Sequence, residues 1–150
     1  MPITEARQQE IGDLLVRVYE IHDLIIRETG GLPGLRDAAM LHSAVARPFA
    51  AFANADLYPD NFEKAAALFH SLIKNHPFID GTKRTAFAST LYFLERYGHP
   101  CPRVLPMEQV IRSCLDLAEE NARKSRGEMI QHKTIGEIAG WFRQLLAATS

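Results

Sequence analysis

The chain has 150 residues, which is long enough for one domain that buries a hydrophobic core. Its 47% hydrophobic and 23% charged residues are typical of a soluble globular protein, and a formal net charge of −1 argues against a basic DNA-binding surface. No run approaches the roughly 18 apolar residues of a membrane span, and the N-terminus lacks a signal-peptide core.

We therefore expect a single domain over residues 1–150, located in the cytoplasm, with no DNA partner and no membrane partner. The two cysteines, Cys101 and Cys114, could pair in principle. We expect them to be free and partly buried instead, as cysteines in a reducing cytoplasm usually are.

The first predicted helix covers residues 4–29, where apolar residues recur at steps of three and four and so define one helical face. The glycines at positions 30–31 end it, because glycine readily adopts the left-handed geometry that follows a helix. His22 lies in this helix, and we expect it to be a packed or surface histidine rather than a ligand. The apolar face consists of Ile11, Leu14, Leu15, Val18, Ile21 and Ile25.

A short second helix is predicted from Asp37, which can cap it, to about residue 46. It ends before Pro48, since the residue that precedes a proline avoids the helical conformation. Residues 48–59 lack a clean period and contain several aromatic residues, so the sequence alone indicates only an irregular segment there.

A third helix is predicted to begin after Asp60, an N-cap residue with Glu63 three positions on, and to end near Asn75. Pro77 cannot continue a helix, so His76 should lie in the loop just beyond its end. We expect His70, inside this helix, to be structural. The apolar stripe of the helix consists of Phe62, Ala66, Phe69 and Ile73.

The fourth helix, from residue 81 or 82 to 97, is apolar nearly all round, which is typical of a helix buried at the centre of its domain. A fifth begins near Met107 and fades in the polar run 119–127, which we interpret as a solvated helix end. A last helix opens with a capping box at Thr134 and Glu137. Because no segment alternates with period two, we predict an all-α fold of about six helices around the buried central one, with at most a small β-hairpin.

The loop before the fourth helix combines residue types that handle phosphate. His76 can take up a proton near neutral pH, and Asp80 offers the kind of carboxylate that Mg²⁺ prefers. Gly81 allows a ligand to approach the backbone closely. Lys83 and Arg84 follow where the helix begins, and free N–H groups at a helix N-terminus attract anions.

This stretch, residues 76–85, reads His-Pro-Phe-Ile-Asp-Gly-Thr-Lys-Arg-Thr and resembles the active-site motif of the Fic/Doc family, specifically its death-on-curing (Doc) branch. The Fic motif runs His-x-Phe-x-Asp/Glu-Gly-Asn-Gly-Arg-x-x-Arg, whereas the Doc branch has Lys for the second Gly and lacks the final Arg. Lys83 and Phe87 follow Doc at both positions. Residues 30–37 resemble the Doc-type signature upstream of the motif. The resemblance covers roughly residues 22–97, and one departure is Thr82, where the family has Asn.

The resemblance implies a Fic/Doc-like helical bundle with a small flap, often a hairpin, beside the active site at about residues 48–59. It also implies roles for single residues. His76 would deprotonate the target hydroxyl, Phe78 would anchor the loop in the core, and Asp80 would hold Mg²⁺. The residues expected to act in catalysis are His76, Asp80, Lys83 and Arg84, and those expected to bind the phosphates of ATP are Gly81, Thr82, Lys83 and Arg84.

The activity implied is that of a Doc-like toxin, which transfers a phosphate from ATP to a Ser or Thr hydroxyl of a translation protein such as elongation factor Tu. Two alternatives stay open: a Fic-type AMP-transferase, and a catalytically degenerate module that only binds a partner, as Thr82 could indicate. No inhibitory segment of the Fic type occurs in the chain, so an antitoxin is expected as inhibitor in trans. Its apolar, partly disordered segment would fold onto a groove near the site, with the first helix and residues 49–58 as candidate surfaces.

Overall fold

A computed structural model of the chain describes residues 4–147. The predicted all-α fold with six α-helices is confirmed, together with one very small β-hairpin. The elements, in chain order, are α1 (Glu5–Thr29), α2 (Ala38–Ala46), a short 3-10 helix (Arg47–Phe49), β1 (Ala51–Phe52), β2 (Ala55–Asp56), α3 (Asn61–Asn75), α4 (Thr82–Arg96), α5 (Met107–Ser125) and α6 (Ile135–Ala147).

The helix starts lie where their capping residues predict them. The Asp37 carboxylate accepts the N–H of Met40 at the start of α2, and the Asp60 carboxylate does the same for Glu63 at the start of α3, at 2.7 Å. At the start of α6, Thr134 and Glu137 each accept the backbone N–H of the other. These local bonds satisfy N–H groups that a helix leaves without partners, so they set the boundaries independently of the tertiary structure.

The core is centred on α3, which packs against α2, α4, α5, α6 and the 3-10 helix. A run of small residues, residues 65–67, is completely buried and lets neighbouring helices approach closely. The sequence predicted α4 as the central helix. Much of α4 is indeed buried, including Thr85, Ala86 and Leu94, but its main contacts are with α1, α3 and α5, so it lies beside the centre.

The sequence allowed at most a small β-hairpin, and one is present. Ala51 lies opposite Asp56, and the turn is at residues 53–54. Asp56 is bound by Arg7 from the first turn of α1 and by Lys64 from the first turn of α3. Since α3 has 15 residues at about 1.5 Å each, roughly 20 Å separates the hairpin from the loop at the other end of α3. The expected position of a flap beside the site is therefore wrong for this hairpin.

Among the described residues, no helix is long and apolar enough to cross a membrane. The two cysteines are free thiols, as expected. The expectation that they are partly buried is wrong for Cys101, which is exposed, whereas Cys114 is buried.

Candidate functional site

The loop between α3 and α4 begins with a backbone conformation that is uncommon for its residue type. His76 is the C-cap of α3 and has left-handed dihedral angles, φ 46° and ψ 60°. Its N–H still bonds to the Leu72 carbonyl, so α3 closes normally before Pro77 directs the chain away. A left-handed residue costs about 1–2 kcal/mol unless it is glycine, so other contacts must hold His76 in place.

These contacts come from residues 32–37, which run antiparallel to the loop. Leu35 and Phe78 form an isolated β-bridge, and the N–H of Ile79 bonds to the Gly34 carbonyl. The N–H groups of Arg36 and Asp37 both point to the Pro77 carbonyl, at 2.7 and 3.1 Å. The upstream signature segment is therefore paired with the predicted active-site motif, although about 40 residues separate them in sequence.

A second support comes from α1. Phe78 is completely buried, which confirms its expected role as an anchor, and it stacks on the ring of His22 at 3.8 Å between centroids. Nε2 of His22 lies 2.7 Å from the backbone carbonyl of Asp80. Because a carbonyl only accepts, His22 donates from Nε2. The prediction that His22 is packed is confirmed, but sequence reasoning missed its bond to the motif, since the two residues are 58 positions apart.

Asp80 is fixed by backbone donors on both of its carboxylate oxygens. Oδ2 accepts the N–H of Leu32 at 3.2 Å, and Oδ1 accepts the N–H of Gly81 at 3.0 Å. These two bonds, aided by the charge of Arg84, hold the pKa of Asp80 below its usual value. Gly31 makes this approach possible, because a Cβ there would lie 2.8 Å from Oδ2.

Helix α4 begins directly after this carboxylate. Gly81 is its N-cap, with φ 75° and no side-chain cap, and the first helical backbone bond joins the Thr85 N–H to the Gly81 carbonyl. The N–H groups of Thr82, Lys83 and Arg84 therefore have no acceptor inside the helix and can bind an anion.

The side chains of this first turn differ in their surroundings. Lys83 and Arg84 are exposed, and the Arg84 guanidinium donates to the hydroxyl of Thr29 at the end of α1. Thr82 is only 3% exposed, and its hydroxyl oxygen is buried without a hydrogen-bond partner within residues 4–147. In this conformation Thr82 offers a ligand its N–H rather than its hydroxyl.

The structure brings the six predicted site residues together along one cleft of about 380 Å³ between the start of α4 and α5. One wall carries the polar groups: His76, Asp80, Gly81, Thr82, Lys83 and Arg84. The other wall is apolar and was not predicted: Phe87, Met107, Val110, Ile111, Cys114 and Leu115. A signal for it was available, because three of these side chains recur at four-residue steps on α5 and are 38–55% exposed: Met107, Ile111 and Leu115.

The electrostatics of the cleft suit proton acceptance. Partial burial, with the positive charges of Arg36 and Lys83, lowers the pKa of His76, against the opposing effect of Asp80. The lowered pKa favours the neutral form of His76, which can accept a proton. Burial raises the pKa of Cys114 to about 11, so its thiol is uncharged.

The residues present fit a nucleotide phosphate with Mg²⁺. No group of three or more His, Cys, Asp or Glu in the described part of the chain could hold a metal by itself. Mg²⁺ is, however, commonly held by one or two carboxylates, substrate phosphates and waters. Asp80 supplies one carboxylate beside the free N–H groups of α4, and each of its oxygens has a single backbone donor and so keeps a lone pair.

Comparison with known proteins places the motif in a family. The model of the Fic/DOC family matches residues 15–94. A Toxin Doc of Mycolicibacterium smegmatis is 48% identical over 69 residues, which cover 46% of this chain and 53% of the relative. The Protein kinase doc of Escherichia phage P1 is 37% identical over 78 residues, 52% of this chain and 61% of the relative. The matched regions thus span about half to three fifths of these curated relatives.

Proposed function

The chain belongs to the Fic/DOC family, in its Doc branch, and from that premise we propose that it is a Doc-like toxin that phosphorylates a protein hydroxyl with ATP. The observation that carries the proposal is the cleft, in which a neutral histidine, a carboxylate and a free helix N-terminus face one space. Phosphoryl transfer needs positioning, charge neutralisation and a base for the attacking hydroxyl, and this cleft contains a group for each.

In the proposed reaction, His76 accepts the proton of a Ser or Thr hydroxyl while the hydroxyl oxygen bonds to the γ-phosphorus and ADP leaves. The N–H groups of the first turn of α4, with Lys83 and Arg84, bind the phosphates. Asp80 would hold Mg²⁺, which when bound neutralises phosphate charge. The apolar wall on α5 suits the nucleoside, which has large uncharged faces.

Transfer of phosphate rather than AMP is supported by the residue that replaces the second Fic arginine. Phe87 is 8% exposed and packs against Trp141 and Phe142 of α6, with ring centroids 6.3 and 6.1 Å away. The position therefore offers an aromatic surface and no cation, whereas the Fic motif has an arginine there. Lys83 adds a cation where Fic proteins have glycine.

The test is incubation of the purified chain with elongation factor Tu and Mg²⁺, in parallel with γ-labelled and α-labelled ATP. We expect label on the target only from γ-labelled ATP, and none with His76→Ala, whose exposed side chain contributes little to the core. Circular dichroism checks that this variant is folded. Label only from α-labelled ATP would replace the proposal with an AMP-transferase. Absence of label together with absence of ATP binding by calorimetry would favour a binding module.

An antitoxin partner is part of the same proposal. Of the two candidate surfaces, residues 49–58 lie at the far end of α3 from the cleft, and Phe49 is buried in the core, so that surface is not near the site. Helix α1 buries the face that carries Leu14 and Val18, but apolar side chains on its other faces, such as Tyr19 and Leu24, are exposed. Of the two candidate surfaces, we therefore propose α1 for the antitoxin. Expression of the chain alone should slow growth, and co-expression with the neighbouring reading frame should restore it and yield a co-purifying small protein.

A further inference from the structure

The conformation of His76 is held by a side chain that does not reach the cleft. The Arg36 guanidinium donates from Nε to the His76 carbonyl and from its second terminal nitrogen to the Asn75 carbonyl, both at 2.6 Å. These are the last carbonyls at the end of α3, where a helix lacks acceptor partners and where a cation is favourable. The planar fork of arginine fits two neighbouring carbonyls at once, which an ammonium group does not.

The backbone of Arg36 is fixed independently of its side chain. Its N–H and that of Asp37 bond to the Pro77 carbonyl, and Asp37 then caps α2. The guanidinium therefore extends from a rigid segment onto the one residue of the loop that has left-handed dihedral angles without being glycine. Arg36 itself is absent from the residues that line the cleft, so its position does not suit phosphate binding.

We propose that Arg36 is a positioning residue for His76: its paired hydrogen bonds fix the left-handed turn and thereby aim the imidazole at the cleft. The catalytic consequence depends on the proposed function, because it assumes that His76 is the base, whereas the structural consequence does not. If the turn relaxes to an ordinary backbone conformation, the Cα–Cβ bond of His76 points elsewhere. A displacement of about 1 Å in a reacting group can lower a rate by roughly a hundredfold.

The test compares Arg36→Gln and Arg36→Lys with a matched control, Arg7→Gln. Arg7 likewise donates to a backbone carbonyl, that of Phe49 at 2.9 Å, but at the far end of α1 from the cleft. Two readouts are needed. Nuclear magnetic resonance of His76, through its Cα and Cβ shifts and its HN–Hα coupling, reports φ without any activity. Steady-state phosphate transfer gives kcat, and calorimetric titration gives the Kd for Mg²⁺–ATP.

For Arg36→Gln we expect the left-handed signature of His76 to be lost and kcat to fall about tenfold to a hundredfold, with the Kd for Mg²⁺–ATP within about twofold of the unchanged protein. Arg36→Lys should recover part of kcat through one bond, and Arg7→Gln should change neither readout. An unchanged His76 signature in both Arg36 variants overturns the proposal, as does an equal loss in Arg7→Gln. If Arg36→Gln does not fold, Arg36→Lys, which keeps only one bond, decides: a weakened left-handed signature of His76 supports the proposal, and a fully retained one overturns it. If the Arg36 variants lose the left-handed signature of His76 but the unchanged protein has no phosphate-transfer activity, the proposed function is refuted. The positioning of His76 by Arg36 would then still hold.

Discussion

Replacing Thr82 by valine tests both the stability of the free protein and the chemistry of the cleft. The Thr82 hydroxyl is buried and has no partner in the described part of the chain. A buried polar group without a hydrogen bond costs about 1–3 kcal/mol, and valine has nearly the same shape. We therefore expect Thr82→Val to raise the free energy of unfolding by about 1 kcal/mol, which for a chain of this size raises Tm by about 2–4 °C.

Urea unfolding at pH 7 without nucleotide measures this change, and Ser89→Ala is the matched control. Ser89 lies two turns further along α4, is completely buried, has a hydroxyl without a partner like that of Thr82, and is not a cleft residue. Both variants should be stabilised to a similar degree. Destabilisation of Thr82→Val alone would refute the reasoning, because it would mean that the hydroxyl already has a partner in the free protein.

Calorimetric titration with Mg²⁺–ATP then separates the two positions. If the Thr82 side chain rotates to meet a bound phosphate, its loss removes a hydrogen bond to a charged group, which contributes about 1.5 kcal/mol. We expect about tenfold weaker binding by Thr82→Val and unchanged binding by Ser89→Ala. Equal affinity in both variants would mean that the phosphates are bound without the Thr82 hydroxyl.

Two further predictions concern titratable side chains on α3 and against it. Burial and the charge of Arg47 lower the pKa of His70 from 6.5 to about 4. The folded protein therefore favours neutral His70, and this contribution to stability should be lost as the pH falls from about 6.5 to 4. Urea midpoints measured over this pH range should vary less for His70→Gln than for the unchanged protein, and an identical profile would contradict the assignment. Glu120 is 3% exposed and pairs with Lys74 at 2.7 Å. Replacing it in Glu120→Gln should lower the free energy of unfolding by about 3 kcal/mol, because Lys74 loses its charged partner. The control Glu119→Gln, which breaks the more exposed pair with Arg123, should change the free energy of unfolding little.

The sequence predicted those parts of the fold that local chemistry determines. The start of α3 follows from Asp60 and its end from Pro77, since a cap and a proline act within one turn of the chain. The polar run 119–127 shows the limit of such reasoning. It was interpreted as a solvated helix end, and α5 does end there at Ser125, but Glu120 within it is buried because Lys74 of α3 and the backbone N–H of Lys133 bind its carboxylate.

Contacts between distant segments had no signal in the chain. The bond from His22 to Asp80 joins α1 to the motif across 58 residues, and periodicity describes a single helix rather than the partner of one of its side chains. The same holds for residues 32–37, whose pairing with the motif requires the whole bundle. The hairpin was misplaced for a related reason: its sequence predicts a local shape, whereas its position depends on which end of α3 it follows.

Three departures from local rules occur at the cleft, although unpartnered buried hydroxyls and exposed apolar side chains also occur elsewhere in the described residues. His76 is a non-glycine residue with left-handed angles at the C-cap of α3, Thr82 is a buried polar group without a partner in residues 4–147, and the α5 stripe of Met107, Ile111 and Leu115 is apolar but exposed. The left-handed angles at residues 53–54 are different, because a two-residue hairpin turn demands them. The family match ends at residue 94, before α5 begins, so the phosphate side of the cleft and Phe87 lie within the match, whereas the α5 part of the apolar wall lies outside it.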